Sequence, residues 1–274
     1  MSLKQEKTHF DTFGFIVRRQ LFDDQEMQRF CEWFDEGFDG KCGSWDGSGF
    51  SQTYCPGIGL HDGFTEHYLA DPRLLDTLEN LMGAGFVFMG SDAQRFNAET
   101  PWHRDTGKIP MEPASAHEYL MLKVVMYLDD LSDGHGCLSI MPGSHRKGCR
   151  DALQDVLRHD DQAIWADGVT AAGIGPDQVP GAVATRTRLG DIIFFNQRCF
   201  HSSWGGKRGR RYLAMTFGRK PTEAWQEQWI KHHSEADVKV HKLPLYPDAL
   251  LATTNPRLRR LIDPLVEKGL CAMA

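Results

Sequence analysis

A chain of 274 residues, 41% hydrophobic and 25% charged, can bury roughly three quarters of the surface its unfolded form exposes, so folding needs no disulfide or structural metal. Its net charge of −6 argues against a nucleic-acid partner, whose binders carry a basic surplus. No apolar run approaches the ~18 residues of a membrane span, the start Met1-Ser2-Leu3-Lys4-Gln5 lacks the apolar core of a signal peptide, and seven cysteines without a C-x-x-C pair read as reduced thiols. The expectation is a cytoplasmic protein with no membrane or nucleic-acid partner, acting on a small molecule.

Residues 9–22 read as a short helix turning into a strand. Residues 23–38 carry Met27, Phe30, Trp33 and Phe34 at helical spacing, with acidic residues in the first turn. Gly40–Gly63 holds seven glycines and reads as a mobile loop, with Trp45, Phe50 and Tyr54 as a substrate lid or as aromatics folded onto the body. Asp71-Pro72 opens a helix over 71–82, with Asp as cap and Pro at the first helical position. From residue 86 the pattern becomes short strands bounded by Gly, Pro or Asp: Phe86–Met89, Asp92–Phe96, Tyr119–Leu128, Cys137–Met141, Asp191–Phe195 and Tyr212–Phe217. An excursion over 146–186 carries a helix at Asp151–His159. A last helix spans Glu223–His233, where His232 and His233 suit the C-terminal end of the helix dipole, and a Pro-punctuated tail follows. Arg257, Arg259 and Arg260 read as a solvated helix face. Helices first, strands in the middle and helices last predict one domain over 1–274 with a β-core at about 86–218 and helical buttresses.

The chemistry starts from Trp102-His103-Arg104-Asp105 and a distant His201. On an extended chain residues i and i+2 share a face, so His103 and Asp105 can reach one ion. With a second imidazole they make a 2-His-1-carboxylate facial triad, which occupies one face of an octahedral Fe(II) and leaves three positions open. Downstream come Lys123–Asp130, then Gly136-Cys137-Leu138-Ser139-Ile140-Met141-Pro142-Gly143-Ser144-His145, then Gly190-Asp191 leading to His201-Ser202-Ser203, and last Arg210-Arg211-Tyr212. His145 reads as a turn residue bonding to backbone, not as a fourth ligand.

This ordered run, over about residues 9–219, resembles the phytanoyl-CoA dioxygenase family of Fe(II)/2-oxoglutarate oxygenases. The resemblance implies a double-stranded β-helix, or jelly roll of cupin-like form, mainly β with flanking helices. It implies that His103, Asp105 and His201 bind iron, and that Ser203 and an arginine about ten residues after His201 hold the far carboxylate of 2-oxoglutarate. O2 is then the second co-substrate and ascorbate a reductant. Two departures stand out: His135 replaces the family's usual Asn, and the His-to-Arg interval is short, which leaves Arg210 and Arg211 both candidates. Strand alternation favours Arg210, because Tyr212, Ala214 and Thr216 would then face inward and Leu213, Met215 and Phe217 outward. A guanidinium fork matches a carboxylate in two parallel hydrogen bonds. Lys123 would lie near the co-substrate if its strand register turns it inward.

The expected reaction is oxidation of a C–H bond of a small molecule, with release of succinate and CO2. A halogenase of the same fold is the nearest rival, but such enzymes lose the carboxylate ligand that Asp105 supplies. A cupin-like metal- or sugar-binding protein without turnover is the other alternative, and it has no need of a dicarboxylate anchor.

Overall fold

The computed structural model describes residues 2–48, 51–97, 99–105, 119–157, 178–206 and 209–271, with 154–156 through their backbone alone. In chain order the elements are α1 (Leu3–Phe13), β1 (Phe15–Arg18), α2 (Asp24–Cys42), β2 (Ser51–Tyr54), α3 (Pro72–Met82), β3 (Phe86–Phe96), β4 (Thr100–His103) and β5 (Met121–Tyr127). There follow β6 (Leu138–Ile140), α4 (Lys147–Leu157), β7 (Val183–Ala184), β8 (Ile192–Asn196), β9 (His201–Ser203), β10 (Arg210–Arg219), α5 (Ala224–His241), α6 (Asp248–Leu251) and α7 (Pro256–Val266).

Two antiparallel sheets form a jelly roll, a six-stranded one in the order β1-β8-β5-β10-β3-β2 and a four-stranded one in the order β4-β9-β6-β7. The inward and outward faces follow from strand alternation. Opposite β10, Tyr212 pairs with Tyr127, Ala214 with Val125 and Thr216 with Lys123, while on its other side Arg210 pairs with Phe96, Tyr212 with Gln94 and Ala214 with Asp92. Ala214 and Val125 join Phe195, Leu138 and Ile140 in the core between the sheets. Leu213, Met215 and Phe217 enter the larger core, where the helices cover the outer face. The expected alternation of β10 is the one observed.

The helices form where caps and apolar spacing agree. In α2, Asp23 and Glu26 make a reciprocal capping box, and Met27, Phe30, Phe34 and Phe38 are fully buried. At ~2 kcal/mol for each such side chain, that row, not helix propensity, holds α2 on the sheet. Asp71 caps α3 through the Arg73 N–H, with Pro72 at its first position as read from the sequence.

Several boundaries differ from expectation. The glycine-rich stretch from Gly40 is partly ordered: α2 runs on to Cys42, and β2 pairs with β3 from Ser51↔Phe96 to Tyr54↔Ala93. Free backbone groups on the β3 edge supply a template that composition does not reveal. Tyr54 lies on that strand, Trp45 donates to the Ser48 carbonyl at 2.8 Å, and Phe50 lies outside the described residues. The two strands expected at 86–96 are one, with Gly90 at φ +117° bridging the break that the sequence suggested. Helix α5 extends to His241, so His232 and His233 lie in its middle and not at its dipole end. The tail is helical as well. Asn255 caps α7, whose Leu258, Leu261, Ile262 and Leu265 are buried, and the half-buried Arg257 pairs with Asp76 of α3 at 2.6 Å. The expected helix at Asp151–His159 begins earlier, at Lys147, and residues 158–177 of that excursion lie outside the described ones. Among the described residues, no helix is long and apolar enough to cross a membrane.

Candidate metal centre and adjoining cavities

Two short strands unforeseen in the sequence, β4 and β9, carry the histidines. They pair antiparallel with His103 directly opposite His201, and the register shifts by one residue between Thr100 and His103. That bulge re-aims the chain: Trp102 is buried among Met141 and Phe200, and His103 turns toward His201, with ring centroids 4.2 Å apart. Strand β4 ends at His103, so simple alternation does not place Asp105. Its N–H donates instead to the Gln197 carbonyl at 3.2 Å, which pins the turn.

Asp105 Oδ1 lies 3.5 Å from His103 Nε2 and 3.4 Å from His201 Nε2, and the three donor atoms all fall within 4.8 Å of one another. An octahedral ion with bonds near ~2.1 Å sets neighbouring donors ~3 Å apart, so the cluster is close to ligating spacing. His103 Nδ1 meets the Pro101 carbonyl at 2.8 Å and His201 Nδ1 meets the Cys199 carbonyl at 3.0 Å. Only an N–H can pair with a carbonyl, so each ring carries its proton on Nδ1 and presents the Nε2 lone pair inward. Three lone pairs then converge on one point, an arrangement that calls for a cation.

The charges support this. Burial would raise the Asp105 carboxyl, yet the Lys123 ammonium beside it holds it well below the usual carboxylate range. Burial, with His103 beside it, lowers His201 and keeps that ring neutral, the form a metal needs. Lys123 does turn inward. Its Nζ lies 3.4 Å from Asp105 Oδ2 and 3.7 Å from Asp92 Oδ1. Burial would lower its pKa, but Asp105 and Asp92 more than offset this and push it up, so it stays charged.

Of the two candidate arginines, Arg210 is 3% exposed and lines a cavity of about 90 Å³ together with His103, Asp105, Lys123, His201 and Ser203. Its guanidinium lies over the Phe96 ring at 5.3 Å. A Cβ added at Gly136 or Gly206 would run into that guanidinium, so these glycines keep its channel clear. Arg211 faces the other way, on Asp129 at 3.0 Å and Asp35 at 2.7 Å, and ties β10 to α2. Ser203 is buried, and its hydroxyl donates to the Gly136 carbonyl at 3.0 Å.

Tyr212 faces inward beside Arg210 as the alternation implied, and Tyr127, which sequence reasoning did not single out, sits beside them; burial pushes the Tyr127 hydroxyl up to about 12. Both inward positions follow from the same alternation that placed Arg210. A second cavity of about 440 Å³ adjoins the first, sharing His103, Asp105, Lys123 and Tyr212, and α5 supplies Trp229, His233, Asp237 and His241 to its wall. No motif marks those four.

The Pro-Gly-Ser-His turn acts on the centre from behind. The Ser144 hydroxyl donates to the Met141 carbonyl at 2.6 Å and accepts the Phe200 N–H at 2.9 Å, next to His201, and His145 Nε2 contacts the Asp11 carbonyl at 3.2 Å. Ser144→Ala leaves a buried N–H unpaired, and its expected cost is about 1–3 kcal/mol, read as a lowered urea midpoint with an unchanged m-value.

The phytanoyl-CoA dioxygenase (PhyH) family model matches residues 10–211. A curated relative, the peroxisomal phytanoyl-CoA dioxygenase of Rattus norvegicus, is 22% identical over 263 residues, covering 87% of this chain and 70% of its own length. Among solved structures, the α-ketoglutarate-dependent carbocyclase SnoK from nogalamycin biosynthesis aligns with TM-score 0.59 and 21% identity over 79% of this chain and 84% of its own. The epimerase SnoN, solved with Fe3+, α-ketoglutarate and nogalamycin RO, gives 0.58 and 19% over 80% and 84%. HygX from Streptomyces hygroscopicus, with nickel and 2-oxoglutarate bound, gives 0.59 and 17% over 78% and 86%. These structures share the fold, and with a family model matched over well more than half of its length, the chain belongs to the phytanoyl-CoA dioxygenase (PhyH) family.

Proposed function

We propose that the chain works as a single-domain Fe(II)- and 2-oxoglutarate-dependent dioxygenase that oxidises a C–H bond of a small molecule in the cytoplasm. The observation that carries this reading is the convergence of His103, Asp105 and His201 at one end of a small cavity with Arg210 among its walls. The donor set fits a ferrous ion: two imidazoles and one carboxylate leave three positions open. When bound, iron and 2-oxoglutarate supply O2 activation with release of succinate and CO2, and ascorbate serves as a reductant.

The protein's part is to place and hold. Arg210 offers a two-pronged guanidinium to the far carboxylate of 2-oxoglutarate. The Tyr127 hydroxyl stands beside it as a donor, and Ser203 joins once its proton turns away from Gly136. Burial pulls the Arg210 pKa down, the mark of a poorly solvated cation that gains from an anionic partner. Lys123 holds Asp105 in its charged form and fixes its second oxygen, an orienting contact of the kind that tunes a ligating carboxylate.

Succinate release from 2-oxoglutarate, with Fe(II), ascorbate and O2, tests the reading directly. Its absence in the iron-loaded wild type would defeat it. A second probe is Gly206→Ala, whose added methyl runs into the Arg210 side chain and not into backbone. The fold is expected to survive, while the KM for 2-oxoglutarate rises about tenfold or more, 1.4 kcal/mol. The halogenase alternative is disfavoured because the Asp105 carboxylate occupies the place that chloride would need. A non-enzymatic cupin is disfavoured because it has no use for Arg210 in that channel.

A further inference from the structure

We infer that the larger cavity receives a substrate bearing a basic amine, held at the cavity mouth by the Asp237 carboxylate. This rests on the oxygenase reading above, since it takes the smaller cavity for the co-substrate and leaves the larger for the molecule to be oxidised.

At about 440 Å³ the larger cavity is of the size that encloses a small organic ligand, and it opens on His103 and Asp105. Its inner polar groups are already matched. Asp92 lies 3.7 Å from Lys123 and bonds the Tyr212 hydroxyl, and Gln197 donates to Thr216 at 3.1 Å. The mouth differs. Helix α5 repeats every fourth residue along its inner face, bringing Trp229, His233, Asp237 and His241 onto one row. His233 stacks flat on Trp229, 5.4 Å apart at 4°. Asp237 meets His233 Nε2 at 3.7 Å with its side chain 41% exposed, too long for a hydrogen bond. Among the described residues, that is the partner shown for it.

Charge selects the ligand class. Outside His103, Asp105 and His201, and with His233 and His241 counted as neutral, the cavity carries Asp92 and Asp237 against Lys123, a surplus of one negative charge. A cation relieves it, whereas an anionic substrate places like charges together near a low-dielectric wall. The Trp229 indole, two turns before Asp237 on the same row, adds an aromatic wall that suits the carbon frame of such a substrate.

The test uses three probes of one ring and similar length: 2-phenylethylamine, 2-phenylethanol and 3-phenylpropionate. Each is titrated into the full chain loaded with Fe(II) and 2-oxoglutarate without oxygen, and binding is read by saturation-transfer NMR. The amine is expected to bind about tenfold tighter than the alcohol, with the acid weakest, and Asp237→Asn is expected to bring amine and alcohol within about twofold. Equal binding of the three, no binding of any, or a preference that persists in Asp237→Asn overturns the inference. Succinate release by the wild type is measured in parallel. Release without charge preference fails this inference alone, and lack of release fails the oxygenase reading.

Discussion

Asp105→Ala and His103→Ala are expected to abolish iron binding and with it turnover. Loss of groups that merely orient a ligand lowers metal affinity 10–100-fold, so loss of a ligand itself should exceed about 100-fold. The physical reason is the lone-pair geometry. Each imidazole is locked by a backbone carbonyl two residues earlier, Pro101 for His103 and Cys199 for His201. Without the carboxylate, two neutral donors remain and nothing offsets the charge of the ion. Removing Asp105 also leaves Lys123 with Asp92 alone, so its ammonium is free to swing toward the centre and repel a cation. Iron content after gel filtration, alongside circular dichroism to confirm folding, measures the effect. Full iron retention in either variant would sink the assignment.

The neighbouring arginines are expected to separate cleanly. Arg210→Ala should raise the KM for 2-oxoglutarate about 30-fold or more, because truncating one partner of a buried, hydrogen-bonded charge pair costs 2–5 kcal/mol. Arg211→Ala should leave that KM alone. It breaks the contacts to Asp129 and Asp35 that bind β10 to α2, lowering stability by about 1 kcal/mol with the KM unchanged. Steady-state kinetics with 2-oxoglutarate and a thermal melt of each variant decide the matter. A KM effect confined to Arg211→Ala would reverse the two roles.

What the amino-acid order determined on its own was local and periodic. Asp71-Pro72 announced α3 because capping and proline geometry act within one turn. The alternation of Arg210 to Phe217 divided β10 into a helix-packed and an inward face, because a strand has no other way to place neighbouring side chains. The ordered run from His103 to Arg210 singled out, through spacing and resemblance, three residues that the structure brings within reach of one another.

What only the tertiary structure decided was non-local. Strands β4 and β9 are too short to show a period, and they exist because each finds the other as a pairing partner. Asp105 reaches the two histidines through a bulge and a hydrogen bond to Gln197, contacts between segments far apart in the chain. Lys123 could be placed beside Asp105 only once β5 had found its register between β8 and β10. The α5 row at the cavity mouth reads in the sequence as an ordinary polar helix, and it faces the centre because α5 packs against β3. Each of these turns on which distant surfaces meet, and no short window of residues contains that information.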